Sequence, residues 1–333
     1  MAIPFTLIIC TYMRPQSVLQ LLQSVQGQTL YPDEILIIDG STNRETEIIL
    51  NENQFRHLYY FAAPPEHRGL TKQRNYGLER IGSTMEVVCF LDDDTVLESR
   101  YFEEIIKTFE GDSNISGVGG VAVNENSWIL AEPNQKYDSH RYYLWEGFVY
   151  KEGQRNVVRN YLGLRSNLGP GRMPDYSHGK TCGFPLNGKT YEVDLLIGMS
   201  FAFRRRVVDA IRFSSYFEGY GLYEDADFSL RALAFGKNVV NTQAQLSHFH
   251  HPSGRPNHYR YGKMVVRNGW YVWRVKNPKP SLNAKIKWHS ITLLLTLIRF
   301  TNTFTTNKKK EAFTEAVGRA IGWWSLLASR PQY

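Results

Sequence analysis

Three acidic residues in a row, Asp92-Asp93-Asp94, close the apolar run Glu86-Val-Val-Cys-Phe-Leu91. Adjacent carboxylates repel one another, so such a triplet is either a solvated turn or a site where a hard divalent cation and a diphosphate supply the balancing charge. Its place at the end of a buried strand favours the second reading. A second cluster, Glu224-Asp225-Ala-Asp227, follows the aromatic, glycine-rich stretch Tyr216-Phe-Glu-Gly-Tyr-Gly-Leu-Tyr223. Complementing a helix dipole accounts for Asp227. It does not account for the aromatic wall before Glu224 and Asp225, beside which a carboxyl with a raised pKa can serve as a general base. Further on, His248-Phe-His-His-Pro252 offers imidazoles. Alternation puts His248 and His250 on one face of a strand, either as metal ligands or as packed, hydrogen-bonded rings, with His250 the preferred ligand.

The elements that must position these groups alternate along the first ninety residues. Phe5-Thr-Leu-Ile-Ile-Cys10, Glu34-Ile-Leu-Ile-Ile-Asp39, His57-Leu-Tyr-Tyr-Phe61 and Glu86–Leu91 read as strands. Helical patterns separate them, after Arg14-Pro15, around Glu45–Asn51 and over Arg68–Ile81. This βαβαβαβ order predicts an α/β fold, a mostly parallel sheet with helices on both faces. Ligands of such sheets lie beyond the carboxyl ends of the strands, and here those ends carry Thr11-Tyr12, Asp39 and the acidic triplet. Residues 124–190 are rich in Asn, Gly, Pro, Tyr and Arg and predict a long irregular binding segment. Glu224 opens a helix that runs through Phe235 and stops at Gly236.

Composition sets the outer bounds. Apolar residues make up 42% and charged residues 21% of 333, which excludes a mainly disordered chain. Three scattered cysteines exclude a disulfide framework and a CxxC metal knuckle, and they suit buried thiols in a reducing cytoplasm. The start, Met1-Ala-Ile-Pro-Phe5, has no basic leader, so no secretory signal is expected. Charge is divided unevenly: residues 1–227 hold 22 Lys/Arg against 30 Asp/Glu, whereas residues 228–310 hold 15 Lys/Arg and no carboxylate. That block predicts a polyanionic partner. Its uncharged run Trp288–Ile298 is 11 residues, against the roughly 20 needed to span a bilayer. Wound as a helix, it leaves His289, Thr292, Thr296 and Arg299 as one narrow polar stripe. A second helical segment aligns Phe313, Val317, Ile321 and Trp324. With lysines 276, 279, 285, 287 and 308–310 on the flanks, residues 261–333 read as a helical extension lying on an anionic membrane surface. Packing on the catalytic domain is the alternative.

Six blocks in order resemble the GT-A glycosyltransferases of family 2: Leu7–Arg14, Ile37–Ser41, Gly69–Gly77, Phe90–Asp94, Gly198–Arg205 and Glu224–Arg231. The resemblance spans about residues 3–260 and implies a Rossmann-like GT-A catalytic domain over 1–260, with a nucleotide-binding half (1–123) and an acceptor-binding half (124–260). It implies inverting transfer from a nucleotide diphosphate sugar, UDP-linked by preference, to a glycan or lipid-linked acceptor of cell-surface polysaccharide. Asp39 would accept the uracil N3–H, with Thr11, Tyr12 and Arg14 around the base and ribose and Arg74 near the phosphates. Asp92 and Asp93 would flank the nucleotide sugar. Asp94 and Asp92, with a histidine, would hold Mn²⁺ or Mg²⁺, which stabilises the leaving diphosphate. Asp225 would be the base, with Glu224 orienting it or binding the acceptor. The site would face the cytoplasm at the inner side of the membrane.

Two other classes compete. A nucleotidyltransferase acting on sugar phosphates shares the sheet and the metal carboxylates, yet it needs a glycine-rich basic loop after the first strand, which Thr11-Tyr-Met-Arg-Pro15 is not. A non-catalytic polyanion binder, nucleic acid included, would use the basic block and its aromatics but leaves both acidic clusters unexplained.

Overall fold

The structure, a computed structural model, describes residues 2–250 and 256–332. Strand β1 (Phe5–Thr11), helix α1 (Pro15–Gln26), β2 (Glu34–Asp39), α2 (Glu45–Glu52), β3 (Leu58–Ala62), α3 (Leu70–Leu78) and β4 (Val87–Asp92) follow the alternation read from the sequence. Next come β5 (Thr95–Leu97), α4 (Tyr101–Gly111) and β6 (Ile115–Ala122). The segment thought irregular contains short elements: β7 (Trp128–Leu130), β8 (Tyr142–Trp145), β9 (Phe148–Lys151) and α5 (Gln154–Tyr161). The chain continues with β10 (Thr190–Val193), β11 (Ser200–Arg204), α6 (Arg205–Ala210), α7 (Glu224–Ala232) and the long β12 (Lys237–His248). Helices α8 (His258–Lys276), α9 (Leu282–Thr305) and α10 (Lys309–Ala328) complete it.

These elements form two compact units. The first takes residues 1–126 and 186–254. Its sheet runs β10-β12-β6-β11-β4-β1-β2-β3, with β5 paired to β12. Strands β3, β2, β1 and β4 are all parallel; the Val, Ile and Leu side chains of β1, β2 and β4 are buried on both faces, whereas the edge strand β3 is half-exposed. Beyond β4 the sheet is mixed: β11 is antiparallel to both β4 and β6, and β12 is parallel to β6. Register decides the site. Thr11 pairs with Asp39 and Cys10 with Asp92, so three carboxyl ends stand level. On the far side, β5 pairs Thr95 with His248, which brings the end of β12 back to the acidic triplet.

The second unit takes residues 127–185 and 255–333, so the segment after Asn126 groups with the C-terminal helices rather than with the strands that follow it. Strands β7, β9 and β8 form an antiparallel sheet whose strands carry Trp128, Tyr143, Trp145 and Tyr150; Trp128 is in ring contact with the other three. Trp270, Trp273 and Trp288 centre the helical core, the last two stacked at 5.3 Å, with Val266, Ile291, Leu326 and Tyr176 around them. Helices α8 and α10 cross where Gly262 faces Glu315 and Gly318 faces Tyr259; a Cβ at either glycine would run into the opposing carbonyl. Among the described residues, no helix is long and apolar enough to cross a membrane.

Candidate active site

The site lies in the first unit, where the level ends of β1, β2 and β4 meet the start of α7. Asp93, the middle carboxylate of the triplet, points into the protein. It accepts Thr11 Oγ1–H at 2.7 Å and an Arg14 Nη1–H at 2.9 Å. Asp94 follows in the turn after β4, with Oδ2 3.6 Å from the same Arg14 Nη1. Asp94 Oδ1 lies 3.3 Å from His248 Nε2, and the ligand atoms of Asp92, Asp94 and His248 all fall within 4.8 Å of one another. Two carboxylates and an imidazole form a donor set that suits a hard or borderline divalent cation. His250 Nε2 lies 2.8 Å from Glu125 Oε1, and the ligand atoms of Glu125, His248 and His250 form a second set within 4.8 Å of one another. Strand β12 ends at His248, and His250 takes a left-handed φ of 49°, so the strand alternation expected for the pair stops short of it. His251 and Pro252 lie outside the described residues.

Arg74 holds the two acidic clusters together. It is only 2% exposed, neither a surface ion pair nor a residue open to phosphate. Its Nη1 donates to Glu224 Oε1 at 2.6 Å, and its Nη2 donates to Asp92 Oδ1 at 3.3 Å and to the Gly198 carbonyl at 3.1 Å. The guanidinium sits over the rings of Phe201, Phe213 and Phe90 at 4.8, 5.2 and 5.8 Å. Glu224 is 5% exposed, and burial pushes its carboxyl up to about 8 against the pull of Arg74. Its Oε2 has no hydrogen-bond partner among the described residues.

Asp225 is the carboxylate left within reach of solvent. The left-handed backbone of Tyr223, φ 70°, turns the chain sharply into α7 and splits the pair, Glu224 inward and Asp225 outward. Asp225 Oδ2 accepts the Gly198 N–H at 3.0 Å and Oδ1 accepts the Ala226 N–H at 2.8 Å. Burial raises its pKa, and those two N–H groups oppose the rise. Gly198 is close to all of these: a Cβ there would stand 3.1 Å from Glu224 Oε1 and 3.2 Å from Asp225 Cβ.

At the β2 end, Asp39 is buried, with Oδ1 accepting the Ser41 N–H at 2.8 Å and Oδ2 the Tyr60 O–H at 2.9 Å. Tyr12, next to Thr11 in sequence, is exposed. Gln73, not singled out from the sequence, ties β1 to β2 by donating to the Thr11 and Ile38 carbonyls at 3.0 and 2.8 Å. Glu125 also went unnoticed, because a lone carboxylate among asparagines carries no signal. Arg204 donates to the carbonyls of Ile115, Phe109 and Asp112, and Arg205 to that of Gly82, so both pack the scaffold.

A mixed sheet of this order with helices around it has the GT-A fold. The model of Glycosyl transferase family 2 matches residues 6–167 of this chain. Over 130 residues it is 27% identical to the glucosyl-dolichyl phosphate glucuronosyltransferase of Haloferax volcanii, a match covering 38% of this chain. The matched part spans about 40% of that relative's length. Among solved structures, the mannosyltransferase PcManGT from Pyrobaculum calidifontis in complex with GDP-Man and Mn²⁺ superimposes with a TM-score of 0.54 at 14% identity, over 100% of this chain and 77% of that one. GalNAc-T7 with UDP, GalNAc and Mn²⁺ gives 0.54 at 15% identity, over 81% of this chain and 49% of that one. At these identities the likeness is one of fold.

Proposed function

We propose that this protein transfers a sugar, with inversion, from a nucleotide diphosphate sugar to a glycan or lipid-linked acceptor. One observation carries the reading: a single buried guanidinium joins a cation-type donor set to a carboxylate pair of which only Asp225 faces solvent. Direct displacement needs one base and no enzyme nucleophile. Asp225 takes the acceptor hydroxyl proton, its raised pKa suiting that role. Glu224, committed to Arg74, orients rather than reacts. Asp92, Asp94 and His248 hold Mn²⁺ or Mg²⁺, with His248 in place of His250. Such a cation, when bound, neutralises the charge that develops on the departing diphosphate. Thr11, Tyr12, Arg14 and Asp93 shape the nucleotide pocket. Asp39 takes the base N–H, for which its oxygens keep spare lone pairs beside Ser41 and Tyr60. A uracil imide N–H fits that acceptor, so UDP-sugars are the favoured donors. Arg74 supports the carboxylates from below rather than binding phosphate.

The test is a donor screen: nucleotide sugars incubated with purified protein and Mn²⁺, with release of the nucleoside diphosphate measured. A UDP-sugar should be consumed and EDTA should stop it. Consumption untouched by EDTA sinks the cation role, and consumption of no nucleotide sugar sinks the transferase reading.

For this activity we propose a place on the cytoplasmic face of an anionic membrane, with the helices of the second unit as the contact. Helix α9 buries Ala284, Trp288 and Ile291 and leaves a second apolar face exposed. Its polar stripe faces the protein: Thr292 is buried, His289 Nδ1 accepts the Trp323 Nε1–H at 2.9 Å, and Arg299 Nε lies 2.8 Å from Glu315 Oε2. Leu282, Ile286, Leu293, Leu297, Phe300 and Phe304 are exposed instead. The Phe300 ring meets Phe313, so the stripe continues along α10 through Ile321 and Trp324. Of the flanking lysines, Lys276 donates to the Met173 carbonyl and Lys287 covers the Tyr176 ring, while Lys279, Lys285 and Lys308–Lys310 stay exposed. Each of those five contributes about 1 kcal/mol near an anionic surface. The protein should pellet with vesicles containing anionic lipid, and part of that binding should survive high salt because the apolar face provides it. Phe304→Ser with Trp324→Ser, both at exposed positions, should remove the salt-resistant part and leave the fold intact. Wild-type protein that ignores anionic vesicles at low salt rules the surface out.

A further inference from the structure

We infer that Glu125 is a positioning residue for the cation site, fixing the ring tautomer and orientation of His248; this rests on the reading that Asp92, Asp94 and His248 hold the cation. After β6 the chain runs past the end of β12, and two successive residues grip the same histidine. Asn124 clamps its backbone in both directions: Nδ2 donates to the His248 carbonyl at 2.7 Å, and Oδ1 accepts the His248 N–H at 3.0 Å. Glu125 then takes the side chain, with Oε1 3.0 Å from His248 Nδ1.

A carboxylate can only accept, so the proton on this contact sits on Nδ1. With a cation on Nε2, the nitrogen turned to Asp94 at 3.3 Å, the neutral ring keeps its one proton on Nδ1, where Glu125 accepts it. The same Oε1 lies 2.8 Å from His250 Nε2, and the two rings are 4.1 Å apart. His250 therefore braces Glu125 from the other side. The carboxylate is held between two imidazoles, and only one of them reaches the acidic triplet. Carboxylates that hold the remote nitrogen of a ligating histidine set ligand basicity and direction, and losing one typically costs 10–100-fold in metal affinity.

The experiment is Mn²⁺ alone, titrated into the full chain without donor, with free Mn²⁺ read by electron paramagnetic resonance. Glu125→Ala should weaken Mn²⁺ binding 10–100-fold, with thermal unfolding close to wild type because the side chain is 41% exposed. Glu125→Gln can still present an oxygen to Nδ1–H and should stay within about threefold of wild type, well above the alanine variant. His248→Ala separates this inference from the reading beneath it. If His248→Ala weakens Mn²⁺ binding and Glu125→Ala does not, Glu125 has no positioning role. If His248→Ala leaves binding unchanged, the three-residue cation site itself is wrong. Equal losses in Glu125→Gln and Glu125→Ala would make Glu125 a direct ligand and overturn the positioning role.

Discussion

Asp225→Asn should bind donor and cation as the wild type does and transfer sugar about 10²–10⁴ times more slowly, the usual contribution of a general base. The substitution keeps shape and keeps an oxygen for one of the two backbone N–H groups that Asp225 now accepts, from Gly198 and Ala226. What it removes is the only carboxylate of its pair that acceptor can reach, since Glu224 is buried against Arg74. Single-turnover transfer and nucleotide titration, measured on the same preparation, separate the two effects. Near-normal turnover would dismiss Asp225 as the base, and lost donor binding would make it a scaffold residue.

Arg74→Met should be the most damaging substitution for the fold, costing about 3–5 kcal/mol, because it strands a buried carboxylate rather than a surface one. Glu224 loses its 2.6 Å partner, and the Gly198 carbonyl and Asp92 lose a donor as well. Arg74→Lys should fare little better, since an ammonium cannot span three acceptors while lying flat on aromatic rings. The deficit should narrow in acid. A carboxyl whose folded pKa is raised, as Glu224's is to about 8, stabilises the fold below its unfolded value, and that contribution fades as pH rises towards the folded one. Urea unfolding at pH 5.5 and pH 8.5 reads both the size and the direction of the effect. A loss under about 1 kcal/mol at the higher pH contradicts a buried ion pair of this kind.

Most of the first unit was legible because its signals are local. An apolar run with β-branched residues, followed by a turn and an amphipathic stretch, fixes β1, β2, β4 and the helices between them without help from the rest of the chain. The acidic clusters were legible for the same reason: carboxylates next to apolar or aromatic runs are conspicuous. Arg74 was not, because nothing in a helix sequence says whether an arginine faces solvent or a cavity formed by strands far away in the chain. The choice between His248 and His250 turned on where β12 stops, and strand ends leave little trace in sequence. Strands β7 to β9 were missed because short, aromatic-rich strands among Asn, Gly and Pro do not show the alternation of a half-buried sheet. The α9 stripe was read correctly as a narrow polar band, but periodicity cannot say which side of a helix is the inside.

The three-way grip of Arg74 also constrains how this protein can change. Asp92 and Glu224 are 132 positions apart in the chain, yet one guanidinium answers for both. Replacing Arg74 or Glu224 alone leaves the other buried without its nearest partner, so the cost of both changes together should be well below the sum of their separate costs. A lineage drifting at position 74 would have to cross that gap before position 224 could follow. Recombining the N-terminal half of one relative with the C-terminal half of another would face the same barrier whenever the halves disagree on this triad. Two acidic clusters that the chain writes far apart are thus tied to one side chain.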